Sequence, residues 1–566
     1  MRPGRLTPAD VGVVLALVVI GVVGPAVLAG AFHVLSIPRN DDWAYRRDLW
    51  DFVRTGHLSF VGWGAMSLVG QVLWGAMFAV VFGTHAWVPG AAVAVLATAG
   101  VTAAYAVGRS ILPRGGAAAC ALVTMALPGF ALNTSSFMTD VPAFAADAGC
   151  LALAAAALRR IGPARWGLLA AALGVGCFGF SVREFDIAAP LAAIAALALQ
   201  DRRHRPAYAL AGAGLLVACG AIYLWASHVP GPQNVPLALS APVRFMRGLG
   251  LSYFTLALGL APLLPAALRR CRPRLSARNL LPPTAALGAG VLLLATNHSL
   301  FSGKYLMQQG ATGAAVLTGR PVLFPGVIWW VLQILALAGG TALAAVAGAV
   351  GPRSFPSGGG AYPHVLLVLF GLLTALFLGF YQGLTKGTVF DRYLWPLAFA
   401  LAVLLVAQRA APSAGVHAKG SRGHARGSPR AGLRQPSGIG TVALATVSAA
   451  VAAALTLNAD AYDAARWSGG NQAVAAGIPA TMVDAGLEWV GSHQPGVAVA
   501  RRQVPGRPFY LTWYDQMFPA FQECAFVSGN QVSLPSLRRV ARVTYQELGV
   551  AGPEQLYVYL VRQPGC

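Results

Sequence analysis

The sequence predicts an α-helical polytopic membrane protein of about 13 transmembrane helices, followed by a small C-terminal extracytoplasmic α/β domain. Three observations lead there. First, 56% of the 566 residues are hydrophobic, 11% are charged and the mean hydropathy is +0.61, which leaves too little charge to cover a water-soluble globule. Second, apolar runs long enough to cross a bilayer recur as far as residue 457, and from Asp460 onward the composition turns mixed. Third, the formal charge of +22 comes from arginines gathered in short loops between the apolar runs. That is a positive-inside distribution, so the charge reports topology and implies no nucleic-acid partner.

The first span is Val11 to Phe32. Arg2 and Arg5 ahead of it and Ala29-Gly30-Ala31 near its end also occur in signal peptides, but the run exceeds an ordinary signal core, so an uncleaved span is expected. No charged residue occurs from Thr55 through Gly108, which leaves room for one span or two. Parity selects one, at about 89–108. Arg109 and Arg114, then Arg159, Arg160 and Arg165, then Arg202, Arg203 and Arg205, and the cluster Arg269 to Arg278 then all lie on the cytoplasmic side. Residues 33–87 become one long outer loop, whose stretch from Trp63 to Gly83 is expected as an amphipathic helix in the membrane interface. Further spans fall near 117–134, 141–158, 167–181, 186–200, 207–227, 249–268, 280–296, 325–349, 363–381, 393–408 and 439–457. Residues 1–407 thus form the transmembrane module. Residues 408–438, rich in Gly, Ser and Pro with six basic and no acidic residues, read as a flexible cytoplasmic linker facing anionic membrane lipids.

Residues 439–457 are the last span, and 458–566 form the extracytoplasmic domain. Periodicity around Met482, Leu487 and Val490 marks a helix over 480–493, while Val497 to Ala500 and Leu556 to Val561 read as strands. Of seven cysteines, five lie in spans or an inner loop and read as small buried residues. Cys524 and Cys566 share the outer domain and are candidates for a disulfide, although spacing alone does not fix their geometry.

This topology gathers a set of polar residues at outer membrane ends: Asp41 and Asp42 behind the first span, Asp140 in Met138-Thr139-Asp140-Val141-Pro142, and Arg183, Glu184 and Asp186 between two short spans. Lys304 and Tyr305 follow, then Phe390-Asp391-Arg392-Tyr393 ahead of Pro396. Acids beside cations at one membrane face suit a site that binds an anionic lipid headgroup and takes a proton from an acceptor. Each residue also has a plainer reading. Asp140 before Pro142 is a candidate helix cap, Arg392 and Tyr393 are candidate interface anchors, Lys304 can snorkel, and Arg183 with Glu184 can form a structural ion pair. Asp147, two turns into the fourth span, needs a partner or a wet cavity.

At these residues the chain resembles the integral-membrane GT-C glycosyltransferases, in particular the branch of protein O-mannosyltransferases and the aminoarabinose transferases acting on lipid A. Asp41-Asp42 matches the acidic pair of their first outer loop, Asp140 the outer acid that opens the fourth helix, and Arg392-Tyr393 with Pro396 the motif that opens a late span. The resemblance implies a GT-C fold in the cytoplasmic membrane with the site outside. It implies transfer of a sugar, with inversion, from a polyprenyl-phosphate donor to a cell-envelope acceptor that is a lipid, a glycan or a protein. Asp41 would be the general base, with Asp42 and Asp140 beside it, and Arg183, Lys304, Arg392 and Tyr393 would bind the donor phosphate.

The chain departs from that pattern in having Asp-Asp for Asp-Glu, and Gly62-Trp63-Gly64 with His57 upstream where many relatives have His-Pro-Pro. The departures leave open the subfamily, the acceptor, and whether Asp42 or Asp140 holds a divalent metal ion. Two other classes share the topology. A transporter or flippase would bind near the midplane and often has repeated halves, of which none is evident here, and a non-catalytic envelope scaffold would need no site at all.

Overall fold

The structure, a computed structural model, describes residues 7–64, 66–231, 238–271, 277–312, 317, 319–349, 361–385, 387–408, 439–496, 517–518, 520–548, 552–562 and 565–566. The linker beyond Gln408 and the strand expected at Val497 to Ala500 lie outside the described residues.

Helix α1 (Pro8–Val18) starts on a capping box: Thr7 Oγ1 accepts from Asp10 N at 3.3 Å while Asp10 Oδ2 accepts from Thr7 N at 3.0 Å, with Pro8 in the first turn. A π turn at Val19–Val23 joins it to α2 (Gly24–Ala31), just ahead of Pro25, whose ring and missing N–H unseat the regular ladder. Helix α3 (Asp42–Thr55) follows a short loop, buries Trp43, Ala44, Tyr45 and Leu49, and ends at Gly56 with φ 71°. The helix expected from Trp63 begins later, as α4 (Val69–Phe82), because Gly62 and the left-handed Leu68 hold the chain in a loop until then, and it is not amphipathic, since its exposed side carries Leu73, Met77, Val80, Val81 and Phe82.

The membrane-length helices after it are α5 (Val88–Ile111), α8 (Asp140–Ala157), α9 (Pro163–Val182), α11 (Arg205–Ser227), α12 with α13 (Pro242–Leu260 and Leu264–Cys271), α14 (Ala277–Asn297), α15 (Gly326–Ala349), α16 (Tyr362–Leu384) and α18 (Ile439–Ala475). With the first span, ten segments among the described residues are long and apolar enough to cross a membrane. The other expected spans appear as shorter helices of 12, 13 and 13 residues: α6 (Arg114–Met125), α10 (Ala188–Gln200) and α17 (Trp395–Ala407). Pro128 and Gly129 (φ 81°) cut α6 from the single turn α7 (Phe130–Asn133), so the expected span at 117–134 is broken. Helices α5, α8 and α9 pack side by side, and Gly100 permits a close approach of α5 to α8, since a Cβ there would stand 2.9 Å from Ala145 Cα.

The two ends of this bundle differ chemically. At one end buried Asp10 binds Tyr105 (2.7 Å), Arg109 (2.9 Å) and Arg114 (3.1 Å), Arg165 pairs with Asp201 (2.7 Å), and Arg270 donates to Val406 O. Within 55–108 one helix among the described residues, α5, is long and apolar enough to cross a membrane, and the loop arginines lie at one end of the bundle with Asp41, Asp140, Arg183 and Arg392 at the other.

The last span does not stop at 457. Helix α18 is 37 residues long, and its second half becomes part of the C-terminal domain, burying Asp460, Tyr462 and Arg466. A short 3-10 turn, β1 (Val483–Asp484) and α19 (Leu487–His493) replace the single helix expected over 480–493, because Gly486 (φ 104°) breaks the chain between them. The sheet has order β1-β2-β4-β3, with β2 (Ala525–Ser528) parallel to β1 and antiparallel to β4 (Glu554–Val561), and β3 (Leu537–Tyr545) antiparallel to β4. Val527 and Val558 of the sheet pack on Gly469 of α18. Cys524 and Cys566 are joined as a disulfide with Cα atoms 5.3 Å apart.

Candidate active site

Asp41 ends the loop after the first span and precedes the first turn of α3. Its Oδ1 accepts from Trp63 Nε1 at 2.8 Å, and its Oδ2 accepts from Asn40 Nδ2 and from Arg392 Nη2, both at 3.2 Å. Arg392 sits in a 3-10 turn, Asp391–Leu394, just ahead of α17, and its Nε lies 3.4 Å from Asp140 Oδ1. Asp140 opens α8, and the same oxygen accepts from Arg183 Nη1 at 2.8 Å. Arg183, the residue after α9, stacks 4.5 Å above the Tyr393 ring. Asp41, Arg392, Asp140, Arg183 and Tyr393 thus form one connected cluster drawn from four parts of the chain, buried except at Asp41, which is partly exposed.

The cap reading of Asp140 fails, since its side chain makes no cap bond and turns to the arginines instead. Nor do Arg183 and Glu184 pair: Glu184 accepts from the backbone N of Ser67 at 2.8 Å, and burial raises its carboxyl above the usual range.

Lys304 reaches the cluster through Asp391. That carboxylate accepts from the backbone N of Tyr305 (2.9 Å), Leu306 (2.7 Å) and Arg392 (2.8 Å), which docks the loop after α14 onto the 3-10 turn. Lys304, at φ 103°, then lies 5.6 Å over the Phe390 ring and within the field of Asp41. Burial lowers the Lys304 ammonium pKa, and Asp41 offsets part of that.

Burial also acts to raise the Asp41 carboxyl. The charges of Lys304 and Arg392 and the Trp63 hydrogen bond outweigh it and hold Asp41 below its ordinary range, so it stands as a carboxylate at neutral pH. The guanidinium charge of Arg392 is held well above its usual value despite burial, by Asp140, Tyr393 and Asp41. Arg183 Nε and Nη2 and Arg392 Nε and Nη1 are buried and make no hydrogen bond among the described residues, and neither does Asp140 Oδ2. Buried donors of this kind, fixed by their carboxylate partners, are suited to gripping the oxygens of an anion.

Asp42 lies elsewhere. It is fully buried, accepting from Arg46 Nε at 2.7 Å and Ser136 Oγ at 3.1 Å, and Arg46 in turn donates to Ser36 O and Ala86 O at the two ends of the loop. Asp42 and Asp140 therefore engage separate partner sets and do not converge on a common point. Among the described residues no group of three or more His, Cys, Asp or Glu is gathered as metal ligands would be.

Sequence reasoning missed several residues that shape this site. Trp63 carried only the signal of an aromatic between two glycines. Arg39, Asn40, Glu488 and Arg466 carried none, because their partners are distant in sequence, and Asp391, although among the outer polar residues, gave no sign that it accepts from three backbone N–H groups.

No family model and no curated protein sequence matches the chain. Solved structures are similar to it, two of them of one protein. One is the crystal structure of ArnT from Cupriavidus metallidurans bound to undecaprenyl phosphate, at 13% identity and a TM-score of 0.40, covering 97% of this chain and 98% of that one. The other is ArnT from the same organism in the apo state, at 13% identity and a TM-score of 0.39, covering 96% and 98%. With identity this low, the roles of individual residues rest on this chain's own geometry.

Proposed function

We propose that the protein is an inverting glycosyltransferase that moves a sugar from a polyprenyl-phosphate donor to a cell-envelope acceptor at the outer face of the cytoplasmic membrane. The observation that carries this reading is the cluster in which an ionised Asp41 shares Arg392 with Asp140 while four buried guanidinium nitrogens of Arg183 and Arg392 make no hydrogen bond among the described residues. Its position at the ends of apolar helices suits a substrate whose headgroup is anionic and whose tail lies in lipid.

In this scheme Arg183, Arg392 and Lys304 hold the donor phosphate, and Tyr393 supports the Arg183 guanidinium. Asp41 takes the proton of an acceptor hydroxyl as its oxygen attacks the anomeric carbon. The bond from that carbon to the phosphate oxygen breaks, and the polyprenyl phosphate leaves with its charge met by the guanidiniums. A carboxylate held low is a poor base on its own. Phosphate drawing Lys304 and Arg392 toward itself relieves the field that depresses Asp41, so donor binding raises its basicity.

The test is transfer of radiolabelled sugar from polyprenyl-phosphate donors by purified wild-type, Asp41→Asn and Asp140→Asn protein. Asp41→Asn is expected to lose at least about 100-fold in rate while still binding donor. Absence of transfer by wild type with every donor sinks the enzyme reading, and equal rates for Asp41→Asn remove Asp41 as the base.

A further inference from the structure

The loop that presents Asp41 is held from the C-terminal domain. Asn40 takes a left-handed backbone, φ 55°, and its N–H donates at 2.8 Å to Oε1 of Glu488 on α19. The other oxygen of Glu488 accepts from Arg466 Nη1 at 2.7 Å, and Arg466, on α18, also donates to Ala485 O and Asp463. Glu488 is 2% exposed and Arg466 0%. On the same loop Arg39 pairs with Asp460 of α18 at 2.5 Å, and six residues beyond Asp41, on α3, Arg47 donates to Gly491 O and Gln494 O. A buried ion pair is a weak way to stabilise a fold, since apolar residues of similar volume often do as well. The Arg466–Glu488 pair does something an apolar pair would not: it supplies a fixed acceptor for one strained peptide, directly before Asp41.

We infer that Glu488 is a positioning residue for Asp41. Arg466 fixes Glu488, Glu488 fixes the Asn40 peptide, and the left-handed turn at Asn40 aims the Asp41 carboxylate at Trp63 and Arg392. The C-terminal domain is then part of the catalytic unit. This inference rests on Asp41 being the base.

Two readouts on the full-length protein in lipid nanodiscs test it: amide hydrogen exchange over 39–43, and donor turnover across pH. Glu488→Gln leaves one oxygen for two donors, Asn40 N–H and the Arg466 guanidinium, and is expected to fall between wild type and the variant lacking both side chains in both readouts. The charge-balanced pair Arg466→Met with Glu488→Leu removes the acceptor. Its Asn40 and Asp41 amides are expected to exchange at least about tenfold faster while β2 to β4 stay protected. Its kcat is expected to fall about 100-fold with little change in KM for the donor, and the acid limb of its pH profile to move. Should that variant not fold, Arg466→Lys, which keeps the charge but loses the fork, replaces it with the same expectations in smaller measure. Unchanged exchange at Asn40 and Asp41 overturns the clamp whether or not the protein transfers sugar. Faster exchange with unchanged kcat and pH profile overturns the positioning role. A wild type that transfers nothing, with exchange altered as expected, overturns the function reading and leaves the clamp standing.

Discussion

Arg392 joins two carboxylates that lie far apart in sequence: its Nη2 is 3.2 Å from Asp41 Oδ2, across 351 residues of chain, and its Nε is 3.4 Å from Asp140 Oδ1. Removing it therefore does two things at once, taking away a donor for an anion and leaving two acids without their common cation. Arg392→Gln is expected to lower turnover of a polyprenyl-phosphate sugar by about 100- to 1,000-fold. Arg392→Lys keeps the charge but cannot span both acids and is expected to recover only part of that rate. Labelled-donor kinetics check both, and wild-type turnover in Arg392→Gln would remove this residue from the site.

Asp48 sets a pH dependence of stability. Burial pushes its carboxyl up to about 8, with the hydrogen bond from Val61 N pulling the other way, Asp51 adding to the rise and Arg47 opposing it. The native state keeps this proton to about pH 8, whereas an unfolded chain releases it near the ordinary 3.8. Between those values the native state binds more protons, so stability falls as pH rises through the window. Asp48→Asn keeps the acceptor for Val61 and needs no proton. Its melting temperature is expected to match wild type near pH 4 and to exceed it by several degrees above pH 8, measured by thermal unfolding in detergent. Parallel pH curves for the two proteins would contradict this.

The Cys524–Cys566 disulfide closes the sheet. Cys524 leads into β2 and its carbonyl accepts from Val561 N at the end of β4, so the bond staples two neighbouring strands across 42 residues. Cys524→Ser is expected to cost the domain roughly 2–5 kcal/mol. Limited proteolysis should then cut the C-terminal domain faster in the variant, and faster in reduced wild type, with the helices unaffected.

Sidedness has a direct test. A reporter inserted after Gly420 is expected to read cytoplasmic, and one after Gly477, where α18 has ended, extracytoplasmic. Swapped signals would place the candidate site on the cytoplasmic face.

Much of this arrangement was legible in the sequence where a polar residue interrupts or bounds an apolar run. Asp140, Arg183 and Arg392 each adjoin a helix end, so topology alone puts them at one membrane face. The pairing of Asp41 with Asp42 was misleading for a geometric reason. At 3.6 residues per turn, neighbours on a helix diverge by about 100°, so the first turn of α3 sends Asp42 toward Arg46, four residues on, while Asp41 turns to Trp63 and Arg392. Asp391 was legible as an outer polar residue but its role was not, and Glu488 carried no signal, because each acts on backbone N–H groups of loops that meet it only after the helices assemble. The extent of α18 was missed because its polar residues, Asp460 and Arg466 among them, read as the start of a soluble domain rather than as one face of a continuing helix.

That unbroken α18 makes the C-terminal domain a rigid extension of a membrane span. At 1.5 Å per residue its 37 residues measure about 55 Å, nearly twice the hydrocarbon core. Asp460, Asp463 and Arg466 ride on it, and Arg39 and Glu488 tie the Asp41 loop to them. A one-piece rod has no joint at the membrane surface. Its tilt is geared to the Asp41 loop, so under the proposed function bilayer thickness, which sets helix tilt, becomes a variable that turnover should register.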